Sequence, residues 1–218
     1  MTWDVILESR VVQAVLAGGF LALGWVFNGR QNRREAARLR AEKLRDFHRA
    51  IYAEIASYME NLGSSEALEA YRMDIVAKME ADESYVPLIP RENNDTIFSA
   101  LIAEISILPR VTIDPIVIYY NQITAIEELI QDLRGERFAD LSVERRVRMY
   151  QDYIGLKLQA FEDGHYALRM IAAFAAGGRD GALEEEARIA KELSIPDVDQ
   201  SDQSQGSASG VGSSDHTS

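Results

Sequence analysis

The chain has no cysteine among its 218 residues, which excludes disulfides, thiolate zinc sites and a cysteine nucleophile and leaves the redox compartment undetermined. Strand signals are nearly missing too. Beyond Arg30 the apolar residues recur at three and four rather than at two, so helices are expected throughout. No Gly-rich phosphate loop, G-x-S-x-G elbow or H-E-x-x-H pair occurs, and no internal repeat is visible. Tryptophan occurs only twice, at Trp3 and Trp25.

What is present is a segregated distribution of charge. The net charge of -12 combines two opposite blocks: residues 28–50 hold eight Lys/Arg against three Asp/Glu, and residues 51–218 hold fourteen against thirty. An acidic main domain repels phosphate backbones, so nucleic acid is not expected as a partner. Apolar residues at 47% and charged residues at 27% are ordinary for a globular chain, and the length suits one compact domain with an anchor and a tail.

The anchor is expected at residues 11–27, VVQAVLAGGFLALGWVF, which carry no charge and one amide, Gln13. As a helix this run spans roughly 26 Å, at the short end of what crosses a bilayer core. Trp3 and Trp25 would lie roughly 33 Å apart along that helix, one at each interface. Two other readings stand beside it. A cleaved signal peptide is disfavoured by Asp4 and Glu8 in the n-region and by the lack of an A-x-A-like site, whereas a buried soluble helix is allowed by the length.

Orientation follows from the flanks. Arg30, Arg33, Arg34 and Arg38 head a basic stretch after the span, while Arg10 alone precedes it. Positive charge stays cytoplasmic, so residues 1–10 are expected outside and the helical domain inside the cell membrane. The same arginines are placed to meet anionic headgroups of the lipid bilayer. Ala14, Gly18 and Ala22 recur at a four-residue spacing and form a candidate transmembrane dimer face.

The expected fold is all-α: a transmembrane helix, a basic juxtamembrane stalk over 28–46, a bundle of four to five helices over 47–196, and a disordered tail over 197–218. The first bundle helix should bury Leu44, Phe47, Ile51, Ile55, Tyr58 and Leu62, and the stalk over 30–43 is polar nearly all round. A second helix over 65–81 is expected to turn Leu68, Tyr71, Ile75 and Met79 inward. Asp95 is a candidate cap for a helix over 96–107 closed by Pro109, and Asp114 with Pro115 a candidate N-cap and N1 pair for a helix to about Arg134. Ser142 should open the last long helix, with Gly177 and Gly178 ending it before a short acidic helix over 181–193.

The segment Ile107–Asn121, with Leu108, Pro109, Ile116, Val117, Tyr119 and Tyr120, resembles a class of bacterial single-pass membrane-anchored helical proteins in which a helix ending near Leu-Pro precedes one with Tyr in its first turns. That resemblance implies a fold type and assigns no activity.

Candidate chemistry is sparse, and no catalytic, cofactor or metal residues are assigned. Glu162 and His165 form an E-x-x-H spacing of the kind used in carboxylate-bridged di-iron bundles, but a second such pair is missing. Glu127–Glu128 and Glu184–Glu185–Glu186 read as solvated faces, because adjacent helix positions diverge. Tyr119, Tyr120 and Asn121 offer a second candidate pocket, with Tyr119 also in the apolar stripe. The leading expectation is an interaction or scaffold module that presents its acidic surface to a cytoplasmic protein partner. The alternatives are a helical-bundle enzyme with a pocket near Glu162 and His165, and an envelope protein of a phage or conjugative element with its domain outside.

Overall fold

The computed structural model describes the backbone of residues 3–194 and the side chains from residue 25 onward, Val26 excepted. The disordered-tail expectation for 197–218 lies outside the described residues, as do the side chains of Trp3, Ala14, Gly18 and Ala22. Every described element is helical: α1 (Trp3–Leu62), α2 (Ser65–Ala81), α3 (Thr96–Leu101) continued by a 3-10 segment (Ile102–Ile107), α4 (Arg110–Leu133), α5 (Glu136–Ala139) and α6 (Val143–Ser194). Among the described residues no helix is long and apolar enough to cross a membrane. Of the apolar run 11–27 the helical backbone is described, and the side chains of Trp25 and Phe27 alone.

The core follows the apolar stripes. From α1, Phe47, Ile51, Ile55, Tyr58 and Leu62 are buried, and from α4 Tyr119, Ile123, Ile126, Ile130 and Leu133. Both series recur at three and four residues, which keeps them on one helix face. α6 lies against α1, α2 and α4 and contributes Val147, Tyr150, Ile154 and Ile171. Burial at roughly 25 cal/mol per Å² of apolar surface is what holds these faces together.

Several local devices set the helix ends. Gly63 adopts φ 78°, a conformation that favours glycine, and ends α1 while its N–H donates to Met59 O at 3.2 Å. Ser64 then caps α2, accepting from Ala67 N–H at 3.2 Å. Gly178, at φ 62°, breaks α6, so residues 179–194 fold back along residues 159–173 as a return arm. Arg169 holds that arm through Glu185 at 2.7 Å and Glu192 at 2.8 Å.

Five expectations need correction, the first being the solvated face at Glu184–Glu185–Glu186, since Glu185 is buried and pairs with Arg169 and Arg188. α4 starts at Arg110, not Pro115, because Pro109 O accepts from Thr112 N–H at 2.9 Å and Ile113 N–H at 3.0 Å and so opens the helix upstream. Pro115 therefore sits in the second turn, where its missing N–H leaves Val111 O without its usual donor. The helix expected over 96–107 is α-helical only to Leu101 and tightens into 3-10 geometry beyond. Tyr71, assigned to the inward stripe of α2, is 52% exposed, since Leu68, Ile75 and Met79 already fill the face toward α6. Asp95 stands at the N-cap of α3 but makes no side-chain capping bond; its carboxylate accepts from the Ser99 hydroxyl instead.

Candidate membrane interface and polar interior

α1 changes character along its length. Trp25 and Phe27 are 80% and 72% exposed, and residues 30–41 are exposed on every face. Arg30, Arg33, Arg34 and Arg38 all lie in this free stretch. Arg33 donates to Gly29 O at 3.2 Å and Arg38 to Glu42 at 3.1 Å, both one turn away on the same helix, so these arginines stay with the stalk instead of docking on the bundle. The bundle begins at Lys43, which pairs with Glu104 of the 3-10 segment at 2.7 Å. From Arg30 to Lys43 the helix rises roughly 20 Å.

Glu162 and His165 lie on one face of α6, both exposed, beside the groove between α6 and its return arm. The His165 ring meets Phe161 edge-on at 4.4 Å. No grouping of His, Asp and Glu that could hold a metal occurs among the described residues. The Tyr119–Asn121 segment is split by the fold: Tyr119 and Tyr120 are buried, and Asn121 is exposed at the edge of a small cavity of about 210 Å³. Of the resemblance segment, Leu108, Ile116, Tyr119 and Tyr120 are core residues, while Pro109 opens α4.

The most organised polar assembly is one that sequence spacing did not single out. Residues 82–95 cross the bundle as an extended strap in which Pro87 and Ile89 face inward, while Val86 and Leu88 are 44% and 86% exposed. Lacking ladder partners, the strap must satisfy its backbone groups from side chains. Buried Arg146 of α6 donates to Tyr85 O at 2.9 Å and also to Glu83 O, and Arg134 at the C-cap of α4 donates to Ile89 O.

The strap's own Glu92 completes the attachment. Its carboxylate accepts from the hydroxyls of Tyr58 at 2.8 Å and Tyr153 at 3.1 Å, and it pairs with the Lys157 ammonium, both side chains 12% exposed. Lys157 also stands 4.9 Å from the centre of the Tyr153 ring. One residue of the strap thus ties α1 to α6.

Glu54 of α1 works similarly on α3. Its two oxygens accept from Ile97 N–H at 2.6 Å and Phe98 N–H at 3.0 Å, and one of them also takes the Tyr120 hydroxyl at 2.6 Å. The capping role expected of Asp95 is therefore filled from another helix. Phe98 stacks on Tyr120 at 3.9 Å, holding that hydroxyl in place.

Burial foremost, and then the neighbouring carboxylates, raises the phenols of Tyr58, Tyr119, Tyr120 and Tyr153 well above their ordinary value, so they act as neutral donors. Burial likewise raises Glu127, helped by Asp95. The interior holds carboxylates fixed by hydroxyl, ammonium and amide donors. These contacts attach the strap and α3 to α1, α4 and α6.

No protein-family model matches the chain, and no curated protein or solved structure matches it.

Proposed function

We propose that the chain is a single-pass membrane-anchored protein whose helical bundle serves as an interaction or scaffold module at the cytoplasmic face of the cell membrane. The observation that carries this reading is the continuity of α1. One unbroken helix passes from the apolar run, through a basic stretch exposed all round, into the first core helix of the bundle. A helix in water with Trp25 and Phe27 so fully exposed would waste apolar surface, whereas the same side chains suit a bilayer interface.

The one-sided arginines favour an outside N-terminus and a cytoplasmic domain, and they supply about 1 kcal/mol each toward anionic headgroups when held at the surface. The acidic balance of residues 51–218 favours a basic protein surface as partner over nucleic acid. Ala14, Gly18 and Ala22 offer a close-approach face for a second copy within the bilayer.

Fractionation is the direct test. The chain should sediment with membranes, resist alkaline carbonate extraction and dissolve in detergent. A reporter fused after Arg49 should be active only when it is one that works in the cytoplasm. Recovery of the intact chain in the soluble fraction would overturn the anchor; activity of an external reporter would overturn the orientation and favour the envelope-protein topology.

A further inference from the structure

Where the stalk joins the bundle, α1 and α6 diverge around an open cleft of about 800 Å³. Its floor is His48 with Ile171 and Phe174, and its walls include Arg45, Arg49 and the exposed Ala172. His48 itself is only 5% exposed and is fixed on two sides. Its Nε2 lies 2.9 Å from Thr112 Oγ1, and its ring meets Phe174 edge-on at 5.2 Å.

The Thr112 hydroxyl donates to Pro109 O at 3.1 Å. With its only proton so engaged, that oxygen accepts from His48, which places the imidazole hydrogen on Nε2 and leaves Nδ1 as a lone-pair acceptor. Burial lowers the His48 pKa to about 4, so the ring is neutral near pH 7 and the acceptor persists. The closed-off side-chain polar atoms without a partner among the described residues are Tyr119 Oη, Glu127 Oε1, Arg146 Nε and Tyr150 Oη. His48 lines the cleft, and its Nδ1 bonds no described protein group.

The walls complement this acceptor. Arg45 and Arg49 stand one helical turn apart and form no ion pair among the described residues. Glu42 of the same wall is held by Arg38 at 3.1 Å, leaving Asp46 as the acidic side chain opposing two guanidinium groups. A neutral acceptor of fixed tautomer, two unpaired cations and an apolar floor are thus within one concavity. Such a mixture of a mostly apolar lining with a few convergent polar groups is what small-molecule sites present.

We propose that this cleft binds a small organic anion carrying a hydrogen-bond donor beside an apolar body, of which a monoprotonated aryl phosphate is the simplest example. The P–O–H group donates to His48 Nδ1, the remaining phosphate oxygens meet Arg45 and Arg49, and the ring rests on Phe174 and Ile171. The site is independent of the anchoring reading, because the bundle carries it wherever the domain is held.

The test is calorimetric titration of the full chain, in nanodiscs of zwitterionic lipid, with phenyl phosphate at about pH 6, where an organic phosphate keeps part of its second proton. A saturable single-site isotherm is expected. Inorganic phosphate should bind about tenfold more weakly for want of the apolar contact, and so should phenyl phosphate to A172W, which fills the wall, and to the R45A/R49A double variant. H48Q keeps a donor toward Thr112 and moves the acceptor away from the Nδ1 position, because the amide oxygen is carried on Cδ, so affinity should fall about fivefold. The arginine and Ala172 substitutions lie on exposed positions and leave the core intact. Absence of saturable binding to the unsubstituted chain, or unchanged affinity in A172W, in R45A/R49A or in H48Q, overturns the proposal.

Discussion

The Glu92 carboxylate of the strap and the Lys157 ammonium of α6 meet where each side chain is only 12% exposed, and the hydroxyls of Tyr58 and Tyr153 with the side-chain amide of Asn94 complete the carboxylate's shell. A pair so withdrawn from water gains little net stability while intact, since desolvation offsets most of its attraction. It becomes costly when halved. Lys157→Met leaves Glu92 charged with only its hydroxyl and amide donors, and Glu92→Gln leaves a buried ammonium without its anion. Each should destabilise the bundle by roughly 3 kcal/mol, and the double variant by clearly less than their sum. Urea denaturation of the four proteins measures the coupling, and strict additivity would refute it.

The Glu54 cap makes a local prediction. Glu54→Ala removes the acceptor of Ile97 N–H and Phe98 N–H and strands the Tyr120 hydroxyl, at a cost of about 2 kcal/mol. Glu54→Gln keeps one acceptor oxygen and should recover about half of that. Amide exchange should quicken over residues 96–107 before it does in α4. Uniform acceleration across the bundle would mean that Glu54 acts through the core and not as a cap.

These two glutamates mark the boundary of what periodicity can reveal. The stripes of α1 and α4 were legible because each repeats every three or four residues within one helix, and Gly63 at the end of α1 and Gly178 at the break in α6 were legible as glycines whose positive φ suits a helix end. Tyr71 misled because it fits the spacing of α2 while the face toward α6 was already occupied. Asp114–Pro115 misled because it is a strong local start signal, yet the carbonyl of Pro109 opens the helix one turn earlier. Glu54, Glu92, Arg146 and Lys157 gave no signal at all. Their partners lie 34 to 66 residues away, as with Tyr58 on Glu92 and Tyr120 on Glu54, so only the tertiary fold brings them together. The irregularity of the strap, with Pro87 and Pro90, was the nearest hint that side chains would have to satisfy its backbone.

His48 gives the bundle an acid limit. Its folded-state pKa of about 4 lies below the ordinary 6.5, and burial is the cause. The unfolded chain therefore takes up a proton below about pH 6.5 that the folded chain refuses until about pH 4. Stability from this residue is complete above the unfolded value and falls as pH drops through that window, levelling off below it. Allowing for the ring's access to the cleft, the loss should be roughly 2 kcal/mol. Melting temperature measured against pH should show this decline in the unsubstituted chain and a shallower one in His48→Gln; parallel curves would assign the acid sensitivity elsewhere.

Two glycines of α6 make opposite predictions from the same substitution. At Gly164 a Cβ would come within 2.5 Å of Met59 Sδ and 3.2 Å of Tyr119 Cε2, so the residue is the point where α1 and α4 press on α6. Met59 can shift, but Tyr119 is fully buried and cannot. Gly164→Ala should destabilise by about 1–3 kcal/mol despite the better helix propensity of alanine. Met59→Ala, itself costly because Met59 is buried, should cost less in the Gly164→Ala chain than in the unsubstituted one, since it then also clears the nearer contact. At Gly155 a Cβ meets nothing within 4 Å, and the position is exposed in mid-helix. Gly155→Ala should therefore stabilise by about 0.5–1 kcal/mol through propensity alone. Equal and favourable shifts at both positions, read from denaturation midpoints, would show that α6 does not approach α1 and α4 as closely as Gly164 permits.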